Sequence, residues 1–303
     1  MRFTIRISNK NTVCRYFSQF SFVPNHEPTS NEDVFQLQKF VDDHKKLFIL
    51  TGAGISTESG LPDYRSKDVG LYDRSPNRPV QYQAFISSHK IRQRYWARNF
   101  VGWKRFSSIE PNNVHTCLAN WENKGRISCL ITQNVDRLHH KAGSVNIIEL
   151  HGTSYVVKCL KCNNHFSRFL FQSQLEELNP EFRVEATEIR PDADVDLEPS
   201  FTEKFKFPDC GKCGGILKPD VVFFGENVPK KKVNEIYDKL TESDAMLVLG
   251  SSLEVFSGYR FALAAVEQKK CLGIVNIGPN RAEKIASFKL NVRCGDILPK
   301  IKL

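Results

Sequence analysis

No stretch of this 303-residue chain approaches the roughly 18–20 consecutive apolar residues that a membrane-spanning helix needs; runs such as Ala245–Leu249 are strand-sized. Its 17 Gly and 14 Pro are too few for a collagenous or low-complexity chain, and 41% hydrophobic with 25% charged residues excludes wholesale disorder. The length allows two domains, or one large domain with an insertion. Nine cysteines are an odd number and too sparse for a disulfide framework, while four of them form two Cys-x-x-Cys pairs. That usage points to a reducing compartment and to metal. Residues 1–26 lack Asp and Glu altogether yet carry Arg2, Arg6, Lys10 and Arg15, with several Ser and Thr. An acid-free, hydroxyl-rich start without a continuous apolar stretch predicts a mitochondrial presequence rather than a secretory signal. It also holds four of the nine net positive charges, which weakens a nucleic-acid reading of the total.

The body is expected at 27–303. Apolar spacing over 34–44 predicts a helix, running into the strand Leu47-Phe48-Ile49-Leu50 and then Gly52-Ala53-Gly54-Ile55-Ser56. Strand followed by Gly-x-Gly is how a doubly wound fold offers backbone N–H groups to a pyrophosphate. Thr57 stands where the dinucleotide fingerprint has its third glycine, so the motif alone is weak. Further short aliphatic strands over 127–132, 145–150, 245–249 and 272–276 predict an α/β fold, a Rossmann-type doubly wound parallel sheet. Each ends in a polar cluster: Gln133-Asn134-Val135-Asp136, His151-Gly152, Gly250-Ser251-Ser252 and Asn276-Ile277-Gly278. Such ends line one crevice in an open parallel sheet.

Cys159-x-x-Cys162 and Cys210-x-x-Cys213 supply four thiolates, the set for one closed, structural tetrahedral zinc. Between the knuckles lie 47 residues, and from Glu176 to Glu198 nine acids stand against Arg183 and Arg190. Composition predicts a solvated mobile loop outside any core; its length admits a lid reaching back to the crevice. Lys230-Lys231-Lys232 reads as a solvated turn, and Cys117, Cys129 and Cys271 as core.

These motifs, with Pro62-Asp63-Tyr64-Arg65 and the run Lys218-Pro219-Asp220-Val221-Val222-Phe223-Phe224-Gly225-Glu226, resemble the sirtuins in family order from about residue 34 to 303. Gly70-Leu71-Tyr72, the run from Arg92 to Trp103, Ser257-Gly258-Tyr259-Arg260-Phe261 and the long inter-knuckle loop resemble the mitochondrial class II branch. The resemblance implies a Rossmann-type part at about 34–61, 116–155 and 216–303, a helical and cofactor-loop part at 62–115, and a zinc module at 156–215 with its acidic loop at 175–207. It implies an NAD-dependent protein-lysine deacylase that moves the acyl group to ADP-ribose through an alkylimidate and releases nicotinamide, with mono-ADP-ribosyl transfer or a catalytically weak NAD-binding regulator as alternatives.

Residue by residue, His151 matches the general base, and an unperturbed imidazole near 6.5 would be mostly neutral. NAD contacts fall to Gly52, Ala53, Gly54, Ser56, Asp63, Arg65, Tyr72, Gln133, Asn134, Asp136, Gly250, Ser251, Ser252, Asn276, Ile277, Gly278 and Cys294. Val221, Phe223, Gly225 and Glu226, with Leu253 and Val255, match the segments that take a substrate peptide between them as a strand. The family usually has proline shortly after the second segment, where Phe256-Ser257 stands here. Tyr95 and Arg98 share a helix face and resemble a pair that recognises acidic acyl groups, an arginine being well suited to a carboxylate; a plain solvated basic helix is the alternative. Implied substrates are lipoyl, biotinyl or branched dicarboxyl-derived acyl-lysines of metabolic enzymes in the mitochondrial matrix, with weak deacetylation. Neither nucleic acid nor a membrane is an expected partner. A zinc-ribbon nucleic-acid binder would need a basic stripe, against which the acidic insert argues.

Overall fold

A computed structural model describes residues 22–185 and 188–303. Residues 1–21, most of the expected presequence, lie outside the described residues. Nine strands occur among the described residues: β1 Leu47–Thr51, β2 Ile127–Thr132, β3 Ile147–Glu149, β4 Gly152–Cys159, β5 His165–Ser167, β6 Leu217–Val221, β7 Ala245–Leu249, β8 Cys271–Val275 and β9 Phe288–Leu290. Six form one parallel sheet in the order β3-β2-β1-β7-β8-β9, and three an antiparallel sheet in the order β5-β4-β6.

The parallel sheet is covered on both faces, and the period-2 alternation of its strands shows how. Leu47 and Ile49 of β1, with Ala245, Leu247 and Leu249 of β7, pack against Leu37, Phe40 and Val41 of the helix Asn31–Asp43 and Leu118 and Trp121 of Asn113–Asn123. Phe48 and Leu50, with Met246 and Val248, turn to the opposite layer, the helices Lys230–Thr241 and Phe256–Glu267. Each such aliphatic, fully withdrawn from water, contributes on the order of 1.5–3 kcal/mol. The first helix starts at a capping box, Asp33 N–H donating to Ser30 Oγ at 3.1 Å and Ser30 N–H to the Asp33 carboxylate at 2.8 Å.

Three expectations shift. Residue 145 does not begin a strand: Val145 is 82% exposed, and β3, at the sheet edge, pairs with β2 only over Ile147–Glu149. Lys230–Lys232 form the first turn of a helix rather than a loop, and Lys232 Nζ donates to the Glu149 carbonyl at 2.6 Å. Cys271 opens β8 with its side chain exposed, not in the core, whereas Cys129 is fully buried.

The helix His89–Ser107 is not a solvated basic rod. Tyr95, Trp96, Arg98, Asn99, Gly102, Trp103 and Phe106 are buried along it, packed on the antiparallel sheet, the helix Arg168–Leu178 and the inter-knuckle insert. Phe22 is buried in the same region, beneath the Arg74 guanidinium at 4.9 Å from its ring centroid. Residues 22–26 therefore belong to the folded body, and a boundary at 26 cuts into it.

Candidate active site

The crevice opens where β1, β2, β7 and β8 end. β1 runs into the 3-10 helix Ala53–Ser59 rather than an α-helix. Here the glycines serve the close approach of two strand-end loops. A Cβ on Gly54 would lie 2.8 Å from the Gly250 carbonyl oxygen, and one on Gly52 2.7 Å from Ser251 Cβ. Gly250 itself sits at φ +56, and Gly54 N–H donates to its carbonyl at 2.8 Å. Side chains then tie the strand ends together. Asn134 Nδ2 donates to the Gly52 carbonyl at 3.0 Å and Gln133 Nε2 to Ser251 Oγ at 2.8 Å. Ser56 Oγ donates to Asp136 at 2.7 Å, and Leu138 N–H to the other oxygen of that carboxyl at 3.0 Å. Burial nevertheless holds Asp136 above the usual carboxylate range.

His151 stands at the joint of the two sheets, directly before β4. Gly152, at φ +77, lies so close to β6 that a Cβ would overlap the Asp220 carbonyl oxygen, and Val222 N–H donates to the His151 carbonyl at 2.8 Å. This clamp fixes the backbone that carries the imidazole. Nδ1 is 2.9 Å from the Gln133 carbonyl oxygen and Nε2 is 2.8 Å from Ser257 Oγ. Burial pushes the imidazole down to about 4, the Gln133 carbonyl working against it and the field of Lys232 with it. The ring is thus neutral near pH 7 by a wider margin than an unperturbed histidine would be.

One cavity of about 1110 Å³ gathers most of the expected site. Gly52, Ala53, Gly54 and Ser56 line it, as do Asp63, Arg65, Gln133, Asn134, Asp136, Gly250, Ser251, Ser252, Asn276, Ile277, Gly278 and His151. Val221, Phe223, Gly225, Glu226, Leu253, Val255 and Tyr95 line the same space. The Glu226 carboxylate is turned inward, accepting from Lys218 Nζ at 3.0 Å and Phe223 N–H at 2.9 Å, so it holds its loop.

The four knuckle sulfurs lie away from this cavity and within 4.8 Å of one another, with Cys159 to Cys213 at 3.4 Å and Cys162 to Cys210 at 3.7 Å. Tetrahedral zinc with bonds of about 2.3 Å spaces its sulfurs by about 3.8 Å, so the set fits one such ion. Four thiolates leave that ion no open position, which assigns it to structure.

A model of the Sir2 family matches residues 52–257. The chain belongs to the Sir2 family. Similar proteins include the NAD-dependent protein deacylase Sirt4 of Drosophila melanogaster, 51% identical over 92% of this chain and 90% of that protein. Another is the human NAD-dependent protein lipoamidase sirtuin-4, mitochondrial, 50% identical over 97% of this chain and 94% of that protein. Among solved structures, a Sir2 complex with a p53 peptide and NAD+ superposes with a TM-score of 0.67 at 29% identity, covering 88% of this chain and 95% of that one.

In this sirtuin three expected site residues lie outside the cavity wall. Tyr72 stands behind it, its ring 5.4 Å from the Arg65 guanidinium and 4.6 Å from that of Arg78, a stack that supports Arg65. Cys294 is core: its Sγ is 3.6 Å from the Val275 carbonyl oxygen, and burial pushes the thiol up to about 12. Arg98 is 3% exposed and already engaged, donating at 2.6 Å to both the Asp194 carboxylate and the Val195 carbonyl. Both acceptors come from the acidic insert, and Arg98 is therefore not free to receive an acyl carboxylate.

That engagement corrects the picture of the insert as well. Ile189, Ala193 and Val195 are buried against the helix His89–Ser107, with Arg190 pairing to Asp194 at 3.5 Å and to Asp196 at 2.6 Å. Pro191 and Asp192 line the cavity, so this part of the insert reaches back to the crevice instead of standing as a solvated loop. Burial lifts the Tyr95 phenol well above its ordinary range, and Asp192 and then Asp194 add to it, so Asp192 lies near that ring. The sequence reading also missed Ser257, Pro24 and Asn25, which line the cavity too. For the insert a signal was present, since Ile189, Ala193 and Val195 interrupt its acids.

Proposed function

We propose that this sirtuin is an NAD-dependent protein-lysine deacylase whose long-chain acyl site is completed by the insert. NAD supplies the nicotinamide ribose that takes up the acyl group. What supports the reading is one placement: a half-buried, neutral His151, with a lone pair on Nε2, lines the same cavity as the strand-end loops and the segments 221–226 and 252–255. His151 would take a ribose hydroxyl proton at Nε2, Nδ1 staying protonated on the Gln133 carbonyl. Asn134 and Gln133 would orient polar groups of the nucleotide, and the segment 221–225, which lines the cavity, would pair with an extended peptide.

For the acyl group we favour neutral chains such as lipoyl or biotinyl over dicarboxyl-derived ones. Arg98, the cation on which an acidic preference rested, is neutralised by Asp194, and a second carboxyl, Asp192, lies near Tyr95. The human relative's description as a lipoamidase agrees with this choice. That relative is also described as mitochondrial, and with the acid-free start this supports matrix metabolic enzymes as the acylated targets. The test is to incubate the full chain, and His151→Ala, with NAD and peptides bearing acetyl, lipoyl, biotinyl and dicarboxyl-derived acyl-lysines, reading masses. Loss of lipoyl or biotinyl mass with matching acyl-ADP-ribose, abolished in the variant, is expected. Equal turnover by the variant, or preference for the acidic chains, would overturn the assignment.

A further inference from the structure

We propose that Ser257 is a positioning residue for His151: in the resting site its hydroxyl occupies the Nε2 lone pair, fixing tautomer and ring, and it yields that lone pair to the arriving ribose hydroxyl. The inference rests on His151 as the base.

The hydrogen positions follow from the acceptors. A carbonyl oxygen only accepts, so the contact of 2.9 Å between Nδ1 and the Gln133 carbonyl places the ring hydrogen on Nδ1. A neutral ring then has a bare Nε2, and Ser257 Oγ, 2.8 Å away, must be the donor. The bond therefore falls on the one atom that has to receive the substrate proton. It also favours the uncharged ring, because a donor to the neutral form opposes protonation.

The surroundings hold Ser257 in place. It lies in the first turn of the helix Phe256–Glu267, and the next residue, Gly258, is packed so closely on Gln133 that a Cβ would come within 2.7 Å of its Oε1. One helical turn thus touches both the base and the residue whose carbonyl orients it. Lys232 is the charged side chain whose field reaches the ring, and its ammonium is fastened to the Glu149 carbonyl at 2.6 Å. At turnover a single rotation about the serine Cα–Cβ bond frees Nε2. The ribose proton then moves to Nε2, and the serine keeps its own hydrogen.

The test is ring-nitrogen NMR of the full chain labelled in histidine, with His151 assigned by its own substitution, from pH 8 to 5. In the unmodified protein the ring should stay in the Nδ1–H form and be no more than about a tenth protonated at pH 5, given a midpoint near 4. Ser257→Ala should raise the midpoint by about 0.5–1 pH unit, leaving about a quarter to a half protonated at pH 5 and admitting the other tautomer. Ser257→Thr should restore both. If the alanine variant fails to fold, Ser257→Cys, similar in size and a weaker donor, should move the midpoint the same way. An unchanged midpoint and tautomer in a folded variant would overturn the proposal. So would a loss of activity beyond about a hundredfold at pH 8 without a shift in the midpoint, which would make Ser257 an obligatory proton carrier. Activity surviving in His151→Ala would sink the base assignment and leave this readout intact.

Discussion

Replacing Gly102 by alanine sets two effects of opposite sign against each other. In the interior of the helix His89–Ser107, alanine is worth about 1 kcal/mol more than glycine, so propensity alone predicts a more stable protein. The insert reverses that. A Cβ at 102 would overlap the Ala193 carbonyl oxygen, part of the backbone, and come within 3.0 Å of Val195 Cγ1. The stretch 189–196 has to lift, at a packing cost of about 1–3 kcal/mol. Lifting also strains the bond of 2.6 Å between Arg98 and Asp194, whose side chains are 3% and 4% exposed. Breaking such a pair costs about 3–5 kcal/mol. We therefore expect net destabilisation in urea unfolding of about 0–2 kcal/mol where the pair is only strained and about 3–7 kcal/mol where it breaks. An endoproteinase that cuts before aspartate should find Asp192, Asp194 and Asp196 faster. Because Pro191 and Asp192 line the cavity, KM for a lipoyl-lysine peptide should rise more than KM for NAD. A variant stabilised by about 1 kcal/mol with unchanged cleavage would show that the insert does not rest on this glycine.

Further outcomes follow from the same geometry. The base acts when neutral, and its folded pKa is lowered, so activity is lost only as pH falls through about 4. Free-enzyme kcat/KM should hold about 99% of its plateau at pH 6, whereas a histidine at 6.5 would leave about a quarter; the smaller value would refute the depressed imidazole. One zinc per chain is expected, and Cys210→Ser, breaking a closed four-thiolate site, should lower metal content and unfold the 156–215 module, seen as loss of its protease resistance. Full metal content in that variant would contradict the assignment. Truncation to 27–303 removes buried Phe22 and the wall residues Pro24 and Asn25, so it should melt earlier and bind NAD less tightly than 22–303; identical behaviour of the two would place the boundary at 26 after all.

What could be read from the chain alone divides along the range of the interactions. The strands β1, β2 and β7 were legible because two-sided burial writes itself into contiguous aliphatic runs, and the crevice because polar clusters recur where those runs stop. β3 was read too long, since an edge strand pairs over three residues and leaves Val145 in water. Most of the residues that motif matching expects to contact NAD line the cavity. Such matching could not tell a wall residue from one behind the wall, and Tyr72 and Cys294 stand outside the wall.

The insert was the largest misreading, for a reason composition cannot express. Nine acids predict solvation only if their charges find no partners. Asp194 and Asp196 find Arg98 and Arg190, and Arg98 lies 96 residues from Asp194 along the chain. With those charges paired, Ile189, Ala193 and Val195 are free to bury, and the stretch docks on the helix through the gap at Gly102. The arginine that a motif match would give to the substrate is bonded to the insert instead. Its loss as an acyl ligand and the presence of Asp192 at the cavity wall are therefore one structural event, which is why we expect acyl selectivity and insert docking to change together.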